Sequence, residues 1–203
     1  MQIQKKMIDV NMLLAWGASY KHYEAGEFVF KEGTSCAFYF QLVVGKVRWV
    51  NLNDEGKEYI QTIIEPGECF GEIPLFDDGP YAATAITSEN SLVIRLPKKI
   101  FVQILLENPE INFSFSKLLS QRLRYKFMLL KAGAFDNPEK RITELLVYIK
   151  NKANTTAPKK YQVDLTRQEI ANMTGLRVET VIRSIRSLKD KGELVIDRGK
   201  VYL

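Results

Sequence analysis

Cysteine, histidine and long apolar runs are scarce in this chain, and each scarcity excludes something. Two cysteines, Cys36 and Cys69, cannot build a disulfide framework, so a reducing cytoplasm is the expected setting. No stretch approaches the ~18–20 apolar residues that cross a bilayer, and no membrane segment is expected. The N-terminus, MQIQKKMIDV, is basic but has no long apolar stretch and no small-residue cleavage site, so no secretory signal is read there. With one histidine, His22, no metal-ligand cluster and no nucleophile spaced from a base, the chain does not read as an enzyme. No catalytic or metal site is assigned. Positive charge is missing over a whole region: between Glu58 and Ile94 there is no Lys or Arg, while Glu65, Glu68, Glu72, Asp77, Asp78 and Glu89 are acidic.

The charge that is present is unevenly placed. The chain of 203 residues carries a net +5. From Asn137 onward there are fourteen Lys and Arg against eight Asp and Glu, a net of +6, which leaves −1 for the first 136 residues. A basic C-terminal third beside a near-neutral remainder points to a polyanion-binding module joined to something else, or to a lysine-rich solvated surface.

Hydrophobic periodicity divides the chain. From about Tyr20 to Leu96, short β-rich runs such as GEFVFKEG, KEYIQTII and SLVIRLP alternate with turns at Asn53-Asp54-Glu55-Gly56 and Pro66-Gly67, which argues for a small antiparallel barrel or sandwich. Alternation in Val47, Trp49 and Asn51 is visible but imperfect. Beyond Pro97 the period becomes helical, with a short helix over Lys98–Leu106 and a long one from about Ile111 to Ala134. The long helix carries two apolar stripes. One is Phe115, Leu118, Tyr125, Leu129 and Ala132, interrupted by Arg122; the other is Leu119, Leu123, Phe127, Leu130 and Ala134. A helix apolar on two sides must bury both. One side can lie on the β region; the other needs the same helix of a second subunit, unless a monomer's interior covers it. Asp136-Asn137-Pro138 reads as a hinge, Glu139–Lys152 as an amphipathic helix and KANTTAPKK as a polar connector.

The most specific stretch is DLTRQEIANMTGLRVETVIRSIRSLKDKGELVIDRGKVYL. Thr166 and Glu169 form a capping box that opens a short helix with Ile170, Ala171 and Met173 on its apolar face. Gly175 ends it. A second helix spans about Val178–Lys191, its buried stripe Val181, Ile185 and Leu188, and two strands follow around Asp197-Arg198-Gly199. This is the pattern of a winged helix-turn-helix, and the fold class is α+β: an antiparallel, jelly-roll-like β-roll, a long dimerisation helix and the winged unit. The second helix exposes Glu179, Arg183 and Arg186. Glu179 and Arg183, four apart, suit either a surface ion pair or base readout, Arg183 donating to guanine and Glu179 accepting from cytosine. Thr166, Arg167, Arg177, Arg186, Lys189, Arg198 and Lys200 are assigned to phosphates.

A β-roll, a long helix and a winged helix in this order resemble the Crp/Fnr family of bacterial transcription regulators. The resemblance is carried by FKEGTSCAFYFQLVVGKV, PGECFGEIPLF and TRQEIANMTGLRVETVIRSI and covers about Tyr20 to the C-terminus. It implies an effector domain of cyclic-nucleotide-binding type over 1–110, a dimerisation helix and hinge over 111–136, and a DNA-binding domain over 137–203. It also implies a homodimer on a two-fold-symmetric operator, in contact with RNA polymerase and controlled by an effector. In the recognition helix, activator-type members resemble R-E-T-V-x-R, whereas Val178-Glu179-Thr180-Val181-Ile182-Arg183 is closer to the Fnr-type V-E-T-x-S-R, whose half-sites are TTGAT-like. Val178, Glu179, Ile182 and Arg183 are thus the expected base readers, with Ile182 standing where serine is usual.

The sensor half departs from the family. Fnr-type iron–sulfur clusters need about four cysteine thiolates, which two cysteines cannot supply. Heme would have only His22 as a histidine ligand. Cys36 and Cys69 suit a redox pair or, more ordinarily, buried inert thiols. In cyclic-nucleotide-binding members the cassette resembles G-E-[apolar]-x-L-x(6)-R-[ST]-A. Gly71, Glu72, Ile73 and Leu75 match it, but Ala82 and Ala83 fall on the Arg and Ser/Thr positions. Lys126 and Phe127 stand where the adenine-contacting pair of the long helix belongs, and Lys126 is the one cation expected near that pocket. A buried phosphate without a counter-charge is costly. The expectation is therefore a retained scaffold with no cofactor, and an effector, small-molecule or redox, other than a cyclic nucleotide.

Overall fold

The computed structural model describes residues 7–153 and 161–203. All of the KANTTAPKK connector except Lys152 and Ala153 lies outside them. The chain divides into two compact units, Met1–Leu119 and Ser120–Leu203.

In the first unit, α1 (Val10–Ala15) precedes eight strands: β1 (Ser19–Tyr23), β2 (Phe28–Phe30), β3 (Phe38–Val44), β4 (Val47–Leu52), β5 (Glu58–Ile64), β6 (Cys69–Phe70), β7 (Thr84–Thr87) and β8 (Ser91–Pro97). A short helix, α2 (Ile73–Asp77), interrupts them after β6, and α3 (Lys98–Glu107) and the start of α4 (Pro109–Phe135) close the unit. The strands form two antiparallel four-stranded sheets, ordered β1-β8-β3-β6 and β2-β7-β4-β5. Their facing sides meet in an aromatic core in which Phe30, Phe40 and Phe70 lie with ring centroids 5.6–5.9 Å apart and Tyr81 stacks on Phe30 at 3.8 Å. The imperfect alternation in β4 shows in its burial, since Trp49 and Val50 are both buried. The β4–β5 register slips beside them, with Gln61 of β5 as the extra residue of a bulge.

A second cluster lies between the outer side of one sheet and the helices. Tyr39 stacks on Phe101 at 4.9 Å, Phe101 meets Phe115 edge-on at 5.2 Å, and Leu75 and Phe76 pack into the same group. Helix α1, which sequence periodicity did not indicate, adds Leu13 to this cluster, and Ile8, just ahead of the helix, joins it. Its entry is held by the buried Gln41 amide, which accepts from the Ile8 N–H at 3.1 Å, donates to the Ile8 carbonyl at 3.0 Å and accepts from the Tyr39 hydroxyl at 2.6 Å. A buried polar side chain so fully paired costs little and fixes one docking register.

The second unit continues α4 and adds α5 (Pro138–Lys152), β9 (Gln162–Val163), α6 (Arg167–Thr174), α7 (Val178–Asp190), β10 (Val195–Asp197) and β11 (Lys200–Tyr202). Ile142, Leu145 and Leu146 of α5, Ile170 and Met173 of α6, and Val181, Ile185 and Leu188 of α7 are its buried apolar residues. The wing has three strands rather than two, because β9 pairs with β11 in the order β10-β11-β9. The hinge is tightly capped. Asn137 accepts from the Lys140 N–H at 3.0 Å, Asp136 pairs with Lys140, and Arg141 donates to the Ala132 and Gly133 carbonyls that end α4.

Phe115 and Tyr125, expected on the dimer face, are packed within one chain instead. Phe115 is fully buried in the cluster with Tyr39 and Phe101, Leu118 packs against it, and Tyr125 stacks on Tyr148 of α5 at 3.8 Å. These three are spent on packing within one chain, while Leu119, Arg122 and Leu129 are half-buried. The large apolar side chains of α4 left in water are Phe113 and Phe135 near its ends and, between them, Leu123, Phe127 and Leu130, 57–69 % exposed, which belong to the other stripe.

Gly71 is a tight point of the roll. It sits at φ 68°, and a Cβ there would come within 2.5 and 2.7 Å of the Phe30 ring. Left-handed strain and overpacking each cost about 1–3 kcal/mol, so Gly71→Ala is expected to lower stability by roughly 3 kcal/mol. The check is urea unfolding followed by aromatic fluorescence.

Candidate nucleic-acid interface

Local chemistry explains why α6 and α7 form where they do. The Thr166 hydroxyl accepts from the Glu169 N–H at 3.1 Å, and the Glu169 carboxylate accepts from the Thr166 N–H at 2.7 Å, so both halves of the capping box are made. Gly175 ends α6 in the left-handed region at φ 70°, which turns the chain into α7 at little steric cost. Helix α7 buries Val181, Ser184, Ile185 and Leu188 and leaves Glu179, Ile182, Arg183 and Arg186 exposed, with Val178 half-buried.

The exposed face has two rows. Val178, Ile182 and Arg186 are each four apart and form one; Glu179 and Arg183 form the other beside it. The i,i+4 ion pair permitted by the second row is absent: among the described residues, neither Glu179 nor Arg183 is in a salt bridge. Arg177 caps α7 through its backbone only, and its side chain is exposed, as are Lys189, Arg198 and Lys200. The wing turn places Arg198 and Gly199 both at positive φ, closing a two-residue hairpin between Asp197 and Lys200. Together these elements present exposed cations around Glu179, with Asp190 and Asp197 also exposed at the end of α7 and at the wing turn.

Arg167 has a different position from the other cations. It is half-buried, donates to the Gly199 carbonyl at 3.3 Å, and its pKa is lowered by desolvation. It ties the start of α6 to the wing turn. Thr166 likewise spends its hydroxyl on the cap. The far end of α7 is held by an ion pair from Lys191 to Glu139 at the start of α5. Hydrogen bonds from Lys191 first and Ser187 second draw the Glu139 pKa below its ordinary value. Partners 52 positions apart leave no local trace in sequence, so this brace was not foreseen.

In the first unit the cassette residues do gather. Gly71, the fully buried Glu72, Ile73 and Leu75 form the turn into α2, and Lys98 fastens that turn by donating to the Pro74 carbonyl at 2.6 Å and pairing with Asp78 at 2.7 Å. Ala82 and Ala83 occupy the positions where the resemblance places an arginine and its neighbour. The Asn51 amide joins the Ala82 carbonyl to the Glu32 carboxylate, both at 2.9 Å, and the Trp49 indole donates to the Ala83 carbonyl at 3.2 Å. Beside them Tyr81 faces the core. Burial pushes its phenol well above the ordinary value, and a hydrogen bond with Cys36 adds to the shift. His22 is an exposed residue of β1 paired with Leu92. Among the described residues, no group of three or more His, Cys, Asp or Glu could hold a metal ion, and no helix is long and apolar enough to cross a membrane.

An antiparallel roll followed by a long helix and a winged two-helix unit defines a regulator with a sensor-type domain and a DNA-binding domain. Residues 20–108 match the family model for the cyclic nucleotide-binding domain, and residues 140–203 match that for the Crp-like helix-turn-helix domain. The cAMP-activated global transcriptional regulator CRP of Haemophilus influenzae is 30% identical, covering 98% of this chain and 91% of that protein. Among solved structures, a CooA mutant from Carboxydothermus hydrogenoformans superposes with a TM-score of 0.81 at 20% identity, covering 100% of this chain and 93% of that one. FixK2 from Bradyrhizobium japonicum gives 0.76 at 19% identity, covering 92% of each. The chain belongs to the Crp/Fnr family of DNA-binding transcription regulators.

Lys126, in the second unit, carries a testable charge. Burial, then the neighbouring Arg122 cation, pushes its pKa from 10.5 down to about 8. Between those values the unfolded chain holds the proton and the folded chain does not, so stability rises with pH across that window. Lys126→Met is expected to flatten this rise, measured as the difference in urea midpoint between variant and parent from pH 7 to 10.

Proposed function

We propose that this chain acts as a homodimer on a two-fold-symmetric operator with TTGAT-like half-sites, regulating transcription through contact with RNA polymerase in the cytoplasm. The observation that carries this reading is the exposed α7 face, where Glu179 and Arg183 lie side by side without pairing, ringed by Arg177, Arg186, Lys189, Arg198 and Lys200. A guanidinium without a carboxylate partner in the free chain is available to the O6 and N7 of guanine, and the carboxylate to cytosine N4. The ring of cations suits phosphates on either side. Dimerisation is supported by Leu123, Phe127 and Leu130, an apolar stripe that water covers in a single chain.

The effector in this reading is not a cyclic nucleotide and no cofactor is bound. The support is electrostatic: where a phosphate would need a cation, an amide bridges Ala82 to the Glu32 carboxylate. The cyclic-nucleotide alternative draws on the turn from Gly71 to Leu75 and on the likeness to the cAMP-activated regulator of Haemophilus influenzae. A heme or redox signal would have to work through the exposed His22, or through Cys36, partly buried, and Cys69, buried.

Fluorescence anisotropy on promoter fragments tests the DNA reading: affinity should fall steeply as salt rises, and no binding at low salt on any fragment would overturn it. Arg183→Ala is expected to cost about 1–3 kcal/mol and relax preference at one G·C pair, whereas Arg186→Ala should weaken all sequences alike and reduce the salt slope by about one. Phe127→Asp is expected to yield monomers in analytical ultracentrifugation with loss of operator binding. A thermal-shift titration with cAMP should leave the melting temperature unchanged.

A further inference from the structure

The outer face of α7 has a second row that hydrogen-bond readout leaves unused. Ile182 is 36 % exposed although it is a large aliphatic residue, and Val178, one turn earlier, is half-buried beside it. Neither can donate or accept a side-chain hydrogen bond. Both lie next to the Glu179–Arg183 row, on the same turns of the helix, and the row they form ends on the Arg186 cation. Exposed aliphatic groups at the centre of a cationic surface are out of place if that surface meets only phosphates. They fit if it meets a groove wall that presents methyl groups, and in the major groove the methyl of thymine is that group.

We propose that Val178 and Ile182 form a methyl-reading row that selects two pyrimidines by their 5-methyl groups, flanking the G·C pair assigned to Arg183 and Glu179. The inference rests on the DNA-binding reading above and deepens it. Side chains four apart on a helix stand about 5–6 Å apart, and successive bases of one strand rise about 3.4 Å, so the two methyls belong to bases one or two steps apart. Such a row responds to the methyl, not to the Watson–Crick identity of the base. It therefore cannot tell thymine from 5-methylcytosine at the C5 position, and it separates thymine from uracil, which the charged row cannot do.

The experiment uses the full chain to select duplexes from a random-sequence pool. The selected duplex is then remade with deoxyuridine at each thymine in turn, and with cytosine or 5-methylcytosine opposite guanine at the sensitive positions. Losing one buried methyl is expected to weaken binding about fourfold at each of two positions. 5-Methylcytosine should bind more tightly than cytosine there by a similar factor. Ile182→Ser should abolish the thymine-over-uracil preference at one position and Val178→Ser at the other, with the G·C preference kept in both. If uracil is accepted everywhere without loss, or if the preference survives in both variants, the methyl-reading row is wrong while the DNA reading stands. If no duplex is enriched from the pool by the parent protein, the DNA reading fails and the row falls with it.

Discussion

A long helix with apolar residues nearly all the way round cannot stand in water, and α4 is such a helix. Its first turns are taken up by the aromatic group of Tyr39, Phe101 and Phe115, and its middle by the Tyr125–Tyr148 stack. Its end is capped from α5 by Arg141. What these contacts leave uncovered is the stripe of Leu123, Phe127 and Leu130. The apolar stripe that supports the proposed dimer is thus what remains after the rest of the helix is buried. Phe115 and Tyr125, the two largest residues of the first stripe, are already committed.

The same residues connect the old ligand cassette to the helix. Leu75 and Phe76 follow the Gly71 turn and pack against Phe101 and Phe115, while Lys98 holds the turn from the start of α3. The cassette can therefore be kept by packing alone. Gly71 is required because the Phe30 ring leaves no room for a Cβ, whatever the site binds. Where members of the cyclic-nucleotide type resemble one another in placing an arginine, this chain spends Asn51, Gln61 and Glu32 on a hydrogen-bonded network that carries an acid instead of a base.

In the DNA-binding unit, stability and recognition use different faces of one short helix. Val181, Ile185 and Leu188 hold α7 in its core, the Lys191–Glu139 pair braces its end, and Arg167 joins the wing to α6. None of these contacts consumes Glu179 or Arg183. The face proposed to enter the groove keeps these two charged groups out of salt bridges, as the DNA-binding reading requires.

Much of this was legible in the sequence. The capping box at Thr166 and Glu169, the Gly175 stop, the period of α7 and the turn at Arg198-Gly199 all rest on neighbours within a few residues, and such contacts leave a pattern in the chain. The missing cation between Glu58 and Ile94 was legible for the same reason. Tertiary structure alone decided which stripe of α4 stays exposed and that Gln41 docks an N-terminal helix. It also decided that β9 completes the wing, that Arg167 serves the wing turn, and that β5 carries a bulge at Gln61 opposite Trp49 and Val50. Each of these depends on a partner tens of residues away. Periodicity reports that a face must be buried, but not by what, because many apolar partners satisfy the same hydrophobic demand and only packing selects among them.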